Sequence, residues 1–169
     1  NADVTGRTKV GGVVGYTRTY YDYSDGYVLA SKSTADATVK ASSSFAGGVI
    51  GCSYRSADHD DTSSWCVACQ SESKVETPNK CGAICGGVEY THPAGFSGSW
   101  ALYNGATVLV NGPSTIDAIY GYTSASEATQ ADVDAMNAAI EAFNISPINP
   151  DHVTIDDRWV LTANGPVLQ

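Results

Sequence analysis

The sequence predicts a mainly β protein: a short β-solenoid-like stack of about four 35-residue repeats, with a C-terminal cap of one helix and a β-hairpin. Three observations carry that expectation. One motif recurs four times within residues 1–122 at nearly constant spacing. Apolar residues inside each copy sit in short runs without a helical stripe. A single helical stripe and an Asn-Gly turn occupy residues 123–169. Such a short tail buries too little to fold alone, so array and tail are expected to form one unit.

The first copy is Val4-Thr5-Gly6, then Val10-Gly11-Gly12-Val13-Val14-Gly15. In the second, Val39 precedes Ala46-Gly47-Gly48-Val49-Ile50-Gly51, with one extra residue after the valine. The third has Val75, then Cys81-Gly82-Ala83-Ile84-Cys85-Gly86. The fourth has Val110-Asn111-Gly112, then Ile116-Asp117-Ala118-Ile119-Tyr120-Gly121. The closing glycines Gly15, Gly51, Gly86 and Gly121 lie 36, 35 and 35 residues apart. A period in this range means units that bury their inner faces against one another, which places Val13, Val49, Ile84 and Ile119 in one inner column. The runs Tyr27-Val28-Leu29-Ala30, Trp65-Cys66-Val67-Ala68-Cys69 and Trp100-Ala101-Leu102-Tyr103, bounded by Ser, Gly, Asn and Asp, read as strands. The small pair before the aliphatic residue marks a tight bend where a side chain would strike the next coil. Asp117-Ala118 in the fourth copy shows that the pair need not be glycine.

In the tail, Thr129 is the expected N-cap, with Asp132 three residues on and Asp134 adding charge at the positive end of the helix. Val133, Met136, Ile140 and Phe143 share one face. Asn144 suits a left-handed stop, and Pro147 and Pro150 prevent continuation. Residues 158–162 and 166–168 flank Asn164-Gly165, a hairpin signal. Helix and hairpin are expected to close the C-terminal end of the stack, whose strand edges would otherwise stay open.

The chain has 169 residues, 43% hydrophobic and 16% charged, enough for a buried core and too apolar for wholesale disorder. Asp and Glu number 18 against 9 Lys and Arg, so nucleic acid and anionic membranes are not expected partners. Every long apolar run is broken by glycine or polar residues, so no transmembrane segment is expected. Asn1 shows neither an initiator Met nor a signal-peptide pattern and reads as a processed or trimmed end.

Val-x-Gly-x-x-x-Val-Gly-Gly-Val-Val-Gly at residues 4–15, with its copies, resembles the GLUG repeat of bacterial surface proteins, especially of Bacteroidetes. The likeness covers residues 1–122, and the tail with Asp134-Ala135-Met136-Asn137, Trp159 and Pro166-Val167-Leu168 is similar to segments that follow such repeats. The third copy departs with Cys81 and Cys85 in aliphatic places, and the fourth lacks Gly-Gly. The resemblance implies a secreted or cell-surface module, associated with the bacterial outer membrane, and no defined catalytic activity.

Candidate chemistry lies in three groups. Cys52, Cys66, Cys69 and Cys81 are disulfide candidates that would close the 53–65 and 70–80 loops, while Cys85 leaves an odd count. Two alternatives stand beside this: inert buried thiols, and a four-thiolate zinc site from Cys66, Cys69, Cys81 and Cys85. Asp58, Asp60 and Asp61 around His59 could hold calcium, or form a plain solvated loop tip. Tyr20, Tyr21, Asp22, Tyr23, Asp25 and Tyr27 offer flat apolar faces beside carboxylates, suited to a glycan or peptide, unless the rings simply pack on a β surface. Tyr90, Tyr103, Tyr120 and Tyr122 would extend such a surface.

Catalysis has little support. Gly95-Phe96-Ser97-Gly98-Ser99 misses the nucleophile-elbow pattern at its last position, and His-Glu-x-x-His, a P-loop and a dinucleotide fingerprint are absent. The expected role is a non-catalytic adhesion module contacting a surface glycan or a partner surface protein, with no required cofactor. Two alternatives are an accessory domain of a larger secreted peptidase or glycan-active enzyme, and a subunit that self-assembles through its open β edge.

Overall fold

Short apolar runs separated by small residues give a chain of many strands, from two to ten residues long. A computed structural model describes residues 2–19, 25–33, 37–55, 63–82, 84–89, 103–104, 108–110, 129–145 and 153–169. The first unit holds β1 (Val4–Gly11), β2 (Val14–Thr19), β3 (Asp25–Leu29) and β4 (Lys32–Ser33). The second holds β5 (Thr38–Gly47), β6 (Ile50–Arg55), β7 (Ser63–Val67) and β8 (Gln70–Ser71). The third holds β9 (Lys74–Thr77), β10 (Cys81–Gly82), β11 (Val88–Glu89) and β12 (Tyr103–Asn104), and β13 (Val108–Val110) opens the fourth. The protein is mainly β, with one helix among the described residues.

Each strand pairs in parallel with its counterpart one repeat away. The sheets run β1-β5-β9-β13, with β10 also on β5; β2-β6-β11; β3-β7; and β4-β8-β12. Val4 faces Val39 and Val39 faces Val75; Val10, Ala46 and Cys81 line up, as do Val14, Ile50 and Cys85. That register matches the repeat alignment of the first three copies. The extra residue after Val39 is absorbed where Gly6 faces Ala41 but Thr8 faces Ser44. The fourth copy differs, since Val108 rather than Val110 faces Val75 and Val110 faces Thr77. The strand is thus displaced by two residues relative to the sequence alignment.

The corner between the first two strands of the first three units requires glycine. A Cβ on Gly11 would stand 2.0 Å from the Val14 carbonyl oxygen, on Gly47 1.9 Å from that of Ile50, and on Gly82 1.9 Å from that of Cys85. Left-handed non-glycine residues mark two further lines of bends: Lys9 (φ 56°) beside Phe45 (φ 58°), and Ala30 (φ 42°) beside Ala68 (φ 51°). Between the corners lie two apolar clusters. One joins Val10, Val39, Ala41, Ala46, Val75 and Cys81; the other joins Val28, Val49, Ile50, Cys66, Cys69, Ile84 and Cys85. Buried hydroxyls fill another part of the interior, where Ser33 Oγ donates to Ser73 Oγ (2.8 Å) and Ser71 Oγ lies 3.2 Å from Ser73 Oγ.

The expected inner column needs one correction. Val49 and Ile84 are buried together, but Val13 is 45% exposed, and Val14 is the residue of the first unit that packs on their cluster. Ile119 and Gly121 lie outside the described residues.

The tail forms α1 (Gln130–Asn144), β14 (Trp159–Thr162) and β15 (Gly165–Leu168). Thr129 and Asp132 make a reciprocal capping box, and Val133, Met136, Ala139, Ile140 and Phe143 are the buried face. The helix does not end on a left-handed Asn144; Ile145 is the C-cap, at φ −99°. Asn144 instead uses its side-chain amide, with Nδ2 donating to Ile155 O (3.0 Å) and Oδ1 accepting from Ile155 N (2.9 Å). Asn137 grips Trp159 the same way, at 2.9 and 2.8 Å. In the hairpin Thr162 faces Gly165 (φ 95°), so Ala163-Asn164 form the turn and Gly165 begins the return strand.

Helix and hairpin pack on Val67 and Ala68 of the second unit and on Tyr27, Leu29 and Ala30 of the first. Trp159 Nε1 donates to Ala68 O (2.8 Å), and Lys32 Nζ to Pro166 O (3.0 Å). Among the described residues the tail therefore flanks the β3–β7 pair, where the sequence places it over the last unit. The reason lies in the partners available: Val67 and Ala68 extend the helix's apolar face at a corner of the second unit. No described helix is long and apolar enough to cross a membrane.

Gly47→Ala is expected to lower stability in urea unfolding by about 3 kcal/mol or more, because its new carbon meets backbone that cannot swing away. Gly6→Ala meets only the Val10 side chain and should stay within about 1 kcal/mol of the parent.

Candidate functional site

The β2-β6-β11 sheet shows how stacked repeats convert sequence period into a surface. Arg18, Tyr54 and Glu89 each stand three residues after a closing glycine (Gly15, Gly51, Gly86), and the parallel register sets them side by side. Tyr16 and Cys52, two residues earlier on their strands, share that face because side chains alternate. On the other side of the strands Thr17 Oγ1 donates to Ser53 Oγ (3.0 Å).

The outward residues interlock. The Tyr16 and Tyr54 rings lie 6.5 Å apart with planes inclined by 59°. The Arg18 guanidinium lies 5.2 Å from the Tyr54 ring centre, and the Lys9 ammonium 3.9 Å from that of Tyr16. From its left-handed position Lys9 also donates to Glu89 Oε2 (2.5 Å), which accepts from Tyr16 Oη as well (3.4 Å). Burial works against the Lys9 charge, yet the Glu89 hydrogen bond and its neighbours outweigh this and raise its pKa above the usual lysine value. Tyr16 is pushed up too, by burial first, against the pull of Lys9. Beneath this lid Cys52 is 0% exposed, and burial, helped by the Glu89 carboxylate, pushes its thiol up to about 11. A thiol so placed stays protonated near neutral pH and is a poor nucleophile. What the face can offer is two flat aromatic surfaces ringed by a guanidinium, an ammonium and a carboxylate.

The tyrosine segment singled out in sequence fares unevenly. Tyr20, Tyr21, Asp22 and Tyr23 lie outside the described residues, and Asp25 begins β3 opposite Ser63. Tyr27 is committed to packing: its ring meets Phe143 of α1 edge-on at 5.8 Å. Asp58, Asp60 and Asp61, and with them the calcium site, also lie outside the described residues.

Cys52, Cys66, Cys69 and Cys81 are all buried, as free thiols. Cys66, Cys69 and Cys85 share one cluster, whereas Cys81 belongs to the cluster around Val39 and Val75, its thiol pushed up to about 11 by burial. Four thiolates therefore do not converge as zinc would need, and no group of three or more His, Cys, Asp or Glu side chains with metal-binding geometry occurs among the described residues.

Sequence reading missed Lys9, Tyr54 and Glu89. Counting outward from the closing glycines would have found the last two; nothing in the sequence marks Lys9 as left-handed. No family model, curated protein or solved structure matches the chain.

Lys9→Met keeps the aliphatic stem but loses the ion pair, and should cost about 1 kcal/mol at neutral pH. Because the folded-state pKa of Lys9 is raised, its contribution is complete below the ordinary lysine value and fades as pH climbs through the raised one. Urea midpoints of parent and variant should converge at high pH.

Proposed function

We propose that the chain is a short β-solenoid of the GLUG-repeat kind, acting as a non-catalytic binding module of a secreted or cell-surface bacterial protein. Parallel ladders that repeat at 35 and 36 residues, and corner glycines that repeat with them, support the solenoid reading. The outer face of β2-β6-β11 is the contact surface, and its ligand is a surface glycan, or a partner surface protein presenting equivalent groups. The observation that carries this reading is the line Arg18, Tyr54 and Glu89 with Tyr16 beside it. Sugar rings pair an apolar C–H face with a rim of hydroxyls. Tyrosine supplies the matching flat surface, and Arg18 and Glu89 supply a donor and an acceptor at its edge. The covered, protonated Cys52 fits contact rather than turnover.

A glycan array, with cell-envelope proteins as a second panel, tests the assignment. The parent chain should bind in one panel, and Tyr54→Ala should weaken that binding about tenfold or more while leaving the circular dichroism spectrum unchanged. Binding that Tyr54→Ala and Tyr16→Ala leave intact, or silence in both panels, overturns it.

A further inference from the structure

The bend between β7 and β8 carries Cys66-Val67-Ala68-Cys69. Ala68 adopts the left-handed conformation at the corner between β7 and β8, and both cysteines belong to the same interior cluster. The bend is held against its neighbour by Ala30 N donating to Val67 O (2.9 Å) and Gln70 N donating to Ser31 O (2.9 Å). Inside it, Cys66 and Cys69 are buried side by side in the cluster of Val28, Val49, Ile50 and Ile84. Cys69 Sγ also lies 3.4 Å from Val28 O and 3.5 Å from Val67 O. Cys85, in the same cluster, donates from Sγ to Gly87 O (3.3 Å); Cys52 Sγ donates to Ser53 O (3.6 Å), and Cys81 lies in a separate cluster.

We propose that Cys66 and Cys69 are a redox-active dithiol that closes into a disulfide within this single bend, directly under the docking point of the tail. The bond would lock a ring whose middle residues, Val67 and Ala68, are those on which α1 and Trp159 pack. Low-molecular-weight disulfides such as oxidised glutathione are the oxidant. One protein thiolate attacks the oxidant and expels a first small thiol; the second attacks the resulting mixed disulfide and expels another. Two electrons and two protons thereby leave the protein as the oxidant is reduced to two thiols.

The test uses the intact chain, reduced, unfolded and refolded in a glutathione redox buffer so that burial does not bar the oxidant. Free thiols are then alkylated and the chain is digested with trypsin. Cleavage after Arg55 and Lys74 releases residues 56–74, which contain Cys66 and Cys69 and no other cysteine. This peptide should emerge unalkylated, lighter than its dithiol form by two hydrogens, and unlinked to the peptides holding Cys52 or Cys81 and Cys85. Cys69→Ser should return Cys66 to the alkylated pool, and Cys85→Ser should leave the link in place. A 56–74 peptide that is alkylated at both cysteines, carries glutathione, or is bridged to another peptide overturns the proposal.

Discussion

Backbone-to-backbone contact at the corners is the constraint on which the rest depends. Where β1 turns into β2 and β5 into β6, the chain passes so close to its own carbonyl three residues on that one added carbon would overlap it. Only this closeness lets each copy turn sharply enough to present its strands to the next copy in the same order. A second contact makes the spacing between copies equally strict. The Cβ of an alanine at Gly51 would stand 2.6 Å from Gly15 O, and one at Gly86 would stand 2.4 Å from Gly51 O. Glycine is used here for the space it leaves, not for its dihedral freedom.

Once the corners are fixed, parallel pairing does the sorting. Equivalent residues become lateral neighbours, so an inward valine is followed by another valine (Val4, Val39, Val75) and hydroxyls gather with hydroxyls. The same rule builds charge ladders outside, where Glu76 takes both Lys40 (2.9 Å) and Lys74 (2.6 Å), which hold its carboxyl below the usual range. The tyrosine face follows from the same logic: its residues are distant in sequence and adjacent in space because they occupy one position of the repeat. Such pairs at a surface contribute little to stability.

Much of this was legible from spacing. The closing glycines fixed the register of three copies, and the capping pair Thr129 and Asp132 with the Val133, Met136, Ile140, Phe143 stripe fixed the helix. What the sequence hid has physical reasons. Left-handed Lys9, Phe45, Ala30 and Ala68 carry ordinary side chains, so composition does not announce them. Val108 and Val110 are indistinguishable by alternation. The resting place of the tail depended on which corner exposed apolar surface, and neither Val67 nor Ala68 differs in type from residues at other bends. At Tyr27 the ring meets Phe143, the packing role that the sequence reading left open beside recognition.

The two asparagines of α1 have a consequence of their own. Each reads a stretch of main chain as a base reads its complement, giving one proton and taking one. An amide alone among the uncharged side chains can do both at once with this geometry. Hydrolysis of either amide to the acid would set an oxygen, where the nitrogen had been, against a carbonyl oxygen. The attachment of the last fifteen or so residues would then loosen with chemical ageing, from the nitrogen of a side chain outward, before any bond in the backbone had changed.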